Sequence, residues 1–196
     1  MMQQLIYVFL FGAMFQFLPV RELPAQDETA GRMGMMDFSL RESRASVEEK
    51  LRRMNFNRVP DARPGWEIYE SGTQKYQSLQ LIAVGFRYSG DRLARITAVM
   101  ASRTTESVVS DYLTVQKRLK RRLGAPLHDM KAFSHPYRWG DGNELNAIRT
   151  NRSHVWTEWC SGGEGGDAFL RLVIVDDHTI RLDCQSVSLM QDIAEH

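Results

Sequence analysis

Phe169-Leu170-Arg171-Leu172-Val173-Ile174-Val175-Asp176-Asp177-His178-Thr179-Ile180-Arg181-Leu182-Asp183-Cys184 reads as two strands of period two joined by a polar tip. With Asp176-Asp177-His178 as a three-residue loop, Ile174 meets Ile180, Leu172 meets Leu182 and Leu170 meets Cys184 on one face, while Arg171 opposes Asp183 on the other. A slip of one residue would move every leucine to the opposite face, so the alternation selects this register. Hairpins of this kind call for an antiparallel sheet.

The same pattern recurs upstream. A strand over 154–160 precedes the hairpin, and a second hairpin is expected around Ser89-Gly90-Asp91, with Tyr88 facing Arg92. That register pairs Phe86 with Ala94, Val84 with Ile96 and Ile82 with Ala98 on one apolar face. Trp66-Glu67-Ile68-Tyr69 adds an alternating strand. Two helices are expected. Ser46-Val47-Glu48-Glu49 forms a capping box ahead of an apolar stripe of Val47, Leu51 and Met54. A longer helix over 106–123, capped by Thr104 or Thr105, buries Val108, Tyr112, Val115, Leu119 and Leu123 and stops at Gly124-Ala125-Pro126.

The fold class is therefore α+β with antiparallel sheet, built as two helix-plus-sheet units over 37–105 and 106–196. A diverged duplication and two independent units fit this layout equally, because helices and turns are not separated by one fixed period. Residues 26–36 read as a flexible lead-in, polar and without periodicity.

At the N-terminus an apolar run from Leu5 to Val20 stands before a polar chain. It is shorter than the roughly 20 residues that span a bilayer and is followed by Leu23-Pro24-Ala25. The segment 1–25 is thus expected to be an export signal cleaved between Ala25 and Gln26, giving a periplasmic or secreted protein. The competing reading is an uncleaved anchor, because Met1-Met2-Gln3-Gln4 lacks the usual basic residue. With 25 basic and 24 acidic side chains, the field of a nucleic-acid binder is missing.

An exported chain meets oxidising conditions, so Cys160 and Cys184 are expected to form a disulfide. In a simple meander their strands are first and third neighbours, about 10 Å apart and beyond the roughly 7 Å bridging limit. The bridge therefore requires adjacent strands or converging strand ends. His128, His135, His154, His178 and His196 have no metal-ligand spacing, and no metal or other cofactor is expected. The glycine-rich stretch from Cys160 to Asp167 leads into a strand rather than a helix N-terminus, which favours a plain connection over a phosphate cradle. Asp176-Asp177 is turn chemistry.

Two surfaces are candidates for partners. Val155, Thr157 and Trp159 are expected to join Phe169, Val173 and Val175 on the second face of the C-terminal sheet, as a binding face or as packing against the N-terminal half. Lys117, Arg118, Lys120, Arg121 and Arg122 form the wet side of the longer helix, with contact to an acidic partner or anionic lipid as the alternative. Membrane contact is expected only through that helix or an uncleaved N-terminal segment.

In Val47 and Leu51 before Trp66-x-x-Tyr69, and in Leu119 and Leu123-Gly124-Ala125-Pro126 before Trp139, the chain resembles small bacterial envelope proteins built as a helix followed by antiparallel sheet. These are the small outer-membrane-assembly lipoprotein family and the tandem-repeat β-lactamase inhibitor proteins. The lipid-anchoring cysteine of the former is absent here. The resemblance implies a binding or assembly role without a cofactor. The expectation is an exported, non-catalytic envelope protein that binds or assists another protein. The alternative is a secreted enzyme, a hydrolase or thiol-dependent catalyst, whose site converges only in three dimensions.

Overall fold

The 169–184 hairpin forms in the register read from its alternation, Ile174 opposite Ile180, Leu172 opposite Leu182 and Leu170 opposite Cys184. It belongs to a computed structural model that describes residues 33–60, 62–161 and 166–194; the expected signal segment 1–25 lies outside the described residues. In chain order the elements are β1 (Gly34–Met35), β2 (Phe38–Ser39), α1 (Arg44–Arg53), β3 (Asn57–Arg58), β4 (Glu67–Glu70), β5 (Lys75–Tyr76), β6 (Leu79–Ser89) and β7 (Arg92–Ala101). A 3-10 turn (Thr105–Ser107) leads into α2 (Val108–Leu123), followed by β8 (His128–Phe133), α3 (Glu144–Arg149), β9 (Ser153–Cys160), β10 (Ala168–Ile174), β11 (Thr179–Ser186) and α4 (Val187–Ala194). The protein is α+β, with four helices among the described residues and a mostly antiparallel sheet. None of these helices is long and apolar enough to cross a membrane.

Among the described residues nine strands make one sheet in the order β3-β4-β6-β7-β11-β10-β9-β8, with β5 attached to β6. The two expected units therefore share a sheet, joined where β7 pairs with β11, and a single hydrophobic core. The strand order is mirrored about that seam.

The first face of the sheet carries Val84, Phe86, Ile96, Ala98, Leu170, Leu172, Leu182 and Trp159, all buried. Val47 and Leu51 of α1 and Val108, Tyr112, Val115 and Leu119 of α2 complete this core. Each such side chain removed from water contributes about 1.5–3 kcal/mol before entropy is counted. Phe38 meets Phe86 edge-on at 4.9 Å between ring centroids. Inside the core Tyr112 Oη and Thr157 Oγ1 share a 2.6 Å hydrogen bond, and Gln116 Nε2 donates to the same Thr157 oxygen at 2.6 Å. These buried polar groups are satisfied by one another, which removes most of the cost of desolvating them.

Several local expectations are corrected. The β6–β7 hairpin pairs Phe86 with Ile96 and Val84 with Ala98, two residues away from the expected register. Its loop is Gly90-Asp91, since Ser89 opposes Arg92, and irregularities at Ala94 and Ile82 absorb one residue each. The apolar faces survive because a shift of two preserves strand parity. Helix α1 starts earlier than the Ser46 capping box: Ser43 is the cap, and its hydroxyl accepts from the Ser46 N–H. The expected lead-in ends sooner as well, with Met33 and Met35 buried and β1 paired to β2.

The connection from β7 into α2 is fastened by Asp111, whose side chain is only 2% exposed. Its carboxylate accepts from Ser102 Oγ at 2.7 Å, Ser107 Oγ at 2.7 Å, and the backbone N–H and Nε of Arg103 at 3.0 and 2.8 Å. Burial works to raise this acid. The bonds from Arg103, Ser102 and Ser107 outweigh it and hold the pKa at about 2.

Candidate functional site

Strand parity places three transverse rows on the second face of the sheet. One runs Met130, Trp156, Val173, Arg181, Val99 and Ala83 from β8 to β6. The next runs His128, Glu158, Arg171, Asp183, Thr97, Gly85 and Ile68. The third runs Cys160, Phe169, Gln185, Arg95 and Arg87. Arginines, aromatics and a methionine thus occupy a face that strict alternation would leave to small polar residues.

Its charges are organised. Arg171 Nε donates to Glu158 at 2.7 Å while its guanidinium lies over the Trp156 ring at 4.6 Å, and His128 meets that ring edge-on at 6.0 Å. Toward the centre, Asp183 accepts from Arg95 at 2.9 Å, Arg181 at 2.8 Å and Thr97 Oγ1 at 2.6 Å. Burial alone would push the Asp183 carboxyl up; the two guanidiniums and the hydroxyl hold it below its ordinary value. The opposed pair Arg171 and Asp183 keeps its register, but each side chain bonds elsewhere. Met130, 44% exposed, Trp156, Phe169, Val173 and Val175 form a part-exposed apolar strip toward β8.

This arrangement splits the binding face expected from sequence. Phe169, Val173 and Val175 are on the second face. Val155 and Trp159 are buried on the first, because Leu170 opposes Trp159 and Leu172 opposes Thr157. Trp159 closes the far end of α2, its Nε1 donating to the Gly124 carbonyl at 3.2 Å. It is a core residue, so the sequence-level grouping of Val155 and Trp159 with Phe169 is withdrawn.

The expected disulfide is corrected too. Cys160 and Cys184 are free. Strand β10 lies between their strands, and the pairings of Phe169 with Cys160 and Leu170 with Cys184 set the two thiols on opposite faces. Burial pushes both thiols up, Cys160 with help from Glu158 and Asp167, and Cys184 to about 12. Residues 162–165 of the glycine-rich connection lie outside the described residues.

Among the described residues no three His, Cys, Asp or Glu side chains are grouped to hold a metal ion. His178 sits at the hairpin tip, with Thr105 Oγ1 3.5 Å from its Nδ1 and 3.3 Å from its Nε2 and Asp177 Oδ1 4.0 Å from Nε2. The His178 side chain is 64% exposed, and Asp177 is held by Arg149 at 2.9 Å, so its carboxylate is committed to the guanidinium rather than to the ring. The cluster is a tip fastening, as expected for Asp176-Asp177.

On α2, Lys117, Arg118, Arg121 and Arg122 are exposed and Lys120 is half-buried. Lys120 pairs with Asp129 at 3.3 Å and Arg122 donates to the Gly34 carbonyl at 3.0 Å. Cations in the last turn of a helix also meet its negative dipole end. Arg122 thereby ties α2 to the N-terminal β1, a structural use of a residue that the sequence placed with partner contacts. A comparison with protein-family models, curated proteins and solved structures returned no match.

Proposed function

We propose that this chain is an exported, non-catalytic envelope protein that binds another protein, or assists its assembly, through the second face of its sheet. The observation that carries the reading is the row of Met130, Trp156 and Val173, with Phe169 and Val175 beside it and Arg171 stacked on Trp156. Aromatic residues, methionine and arginine are the types enriched where proteins meet partners. Apolar side chains left part-exposed on one strip of a large sheet have a use when a partner covers them.

Export rests on the apolar run 5–20 and the small residue Ala25. The thiol-dependent alternative is disfavoured by the direction of the Cys160 shift, since a thiol raised by burial is a weak nucleophile at neutral pH. The mirrored strand order about the β7–β11 seam accords with a diverged duplication.

The test is affinity capture from envelope extract with the unmodified protein, Val173→Asp and, as a control on the helix side, Arg118→Gln. Val173 is only half-buried, so its variant is expected to keep the native circular dichroism. Loss of a discrete captured protein with Val173→Asp alone supports the proposal. Equal recovery by all three removes it.

A further inference from the structure

The third row of the second face ends in a conflict: Arg95 and Arg87 stand directly opposite each other on β7 and β6. Like charges in directly opposed positions are destabilising. Arg95 is compensated by Asp183 at 2.9 Å, but that carboxylate is shared with Arg181. The Arg87 side chain has no hydrogen bond or ion pair among the described residues, and the buried Nε atoms of both Arg87 and Arg95 lack partners. Arg63 adds a third unfavourable charge, and burial together with Arg95 and Arg63 lowers the Arg87 pKa. Trp66 lies against Arg95, with the guanidinium 5.4 Å from its ring centroid, and a Cβ added at Gly65 would stand 3.8 Å from Arg87 Nε. Arg87 and Arg95 thus meet beside an aromatic ring, with one shared carboxylate at hand among the described residues.

We propose that Arg87 and Arg95, flanked by Arg63 and Trp66, form a subsite for a side-chain carboxylate of an acidic peptide segment in the bound partner. A planar guanidinium presents paired donors that match a carboxylate. A carboxylate here neutralises the opposed pair. Ile68, Ala83 and Val99 on the same face are buried, so recognition at this end of the face is by charge, and an acidic peptide suits it. This assignment rests on the protein-binding reading and names the partner chemistry at one end of the face.

Fluorescence anisotropy with a labelled heptapeptide of alternating leucine and glutamate, and with its leucine–lysine counterpart, tests it. The unmodified protein binds the glutamate peptide saturably and the lysine peptide not at all. Arg87→Gln weakens binding by about tenfold or more, Arg87→Lys by less, and Arg118→Gln not at all. Raising salt to about 0.3 M weakens binding to the unmodified protein, applying the same electrostatic perturbation without a substitution. Arg87→Gln also keeps or raises the melting temperature of the free protein, since it removes a like-charge opposition.

Equal binding of the glutamate peptide by Arg87→Gln, equal binding of the lysine peptide, or no salt dependence overturns the subsite. If any of these results accompanies loss of partner capture by Val173→Asp, only the arginine assignment falls. If Val173→Asp captures normally while Arg87 still governs glutamate-peptide binding, the subsite stands and the apolar strip is not its companion.

Discussion

Replacing Asp111 with asparagine probes how α2 is joined to the sheet. The carboxylate is 2% exposed and accepts from Ser102, Ser107 and Arg103. Its pKa falls from 3.8 to about 2, which at about 1.4 kcal/mol per unit corresponds to about 2 kcal/mol of folded-state preference for the charged form. Arg103 is 62% exposed, so its share is screened by solvent and salt. The expected loss for Asp111→Asn at neutral pH is therefore about 1–2 kcal/mol, read from urea unfolding. Because the folded-state value is depressed, this stability is present above the ordinary carboxylate range and is lost as pH falls from about 4 toward about 2. The gap between the unmodified protein and Asp111→Asn should close over that window. A variant within about 0.3 kcal/mol of the parent at pH 7, or a gap that does not shrink on acidification, refutes the reasoning.

Trp159→Ala should cost about 3–5 kcal/mol in urea unfolding, the value for a large buried aromatic; a loss under about 1 kcal/mol would place Trp159 at a surface. Thiol titration of the unreduced protein in guanidinium should find both Cys160 and Cys184 free, whereas no reactive thiol would mean that a bridge forms. Arg118→Gln and Arg121→Gln should each change unfolding free energy by no more than about 0.5 kcal/mol, as expected of exposed charges. A larger loss would show that these side chains hold the fold together.

The C-terminal hairpin was legible because its apolar residues alternate without a break and its tip fixes the register. In the β6–β7 hairpin the faces were legible but the register was not. Ala94 and Ile82, where the ladder shifts, carry no sequence mark that separates them from their paired neighbours. The placement of Trp159 failed for a related reason: the pairing of Phe169 with Cys160 and Leu170 with Trp159 sets which face of β9 is buried, and the glycines between the two strands carry no register signal in the sequence. Strand β8 and the six-residue α3 are too short and exposed to generate a clear period. Helix α4 went unmarked among the last residues. The opposition of Arg87 and Arg95 could be read only with the correct hairpin register, and the sharing of Asp183 only once β7 met β11 across 86 residues of sequence.

The most direct test of a partner-binding second face is site-specific photo-crosslinking in the cells that make the protein. A photoreactive phenylalanine analogue at position 173, in place of Val173, should give a discrete adduct with one envelope protein, and the same analogue at position 118 on α2 should not. Absence of an adduct from position 173, or the same pattern from both positions, would contradict the account.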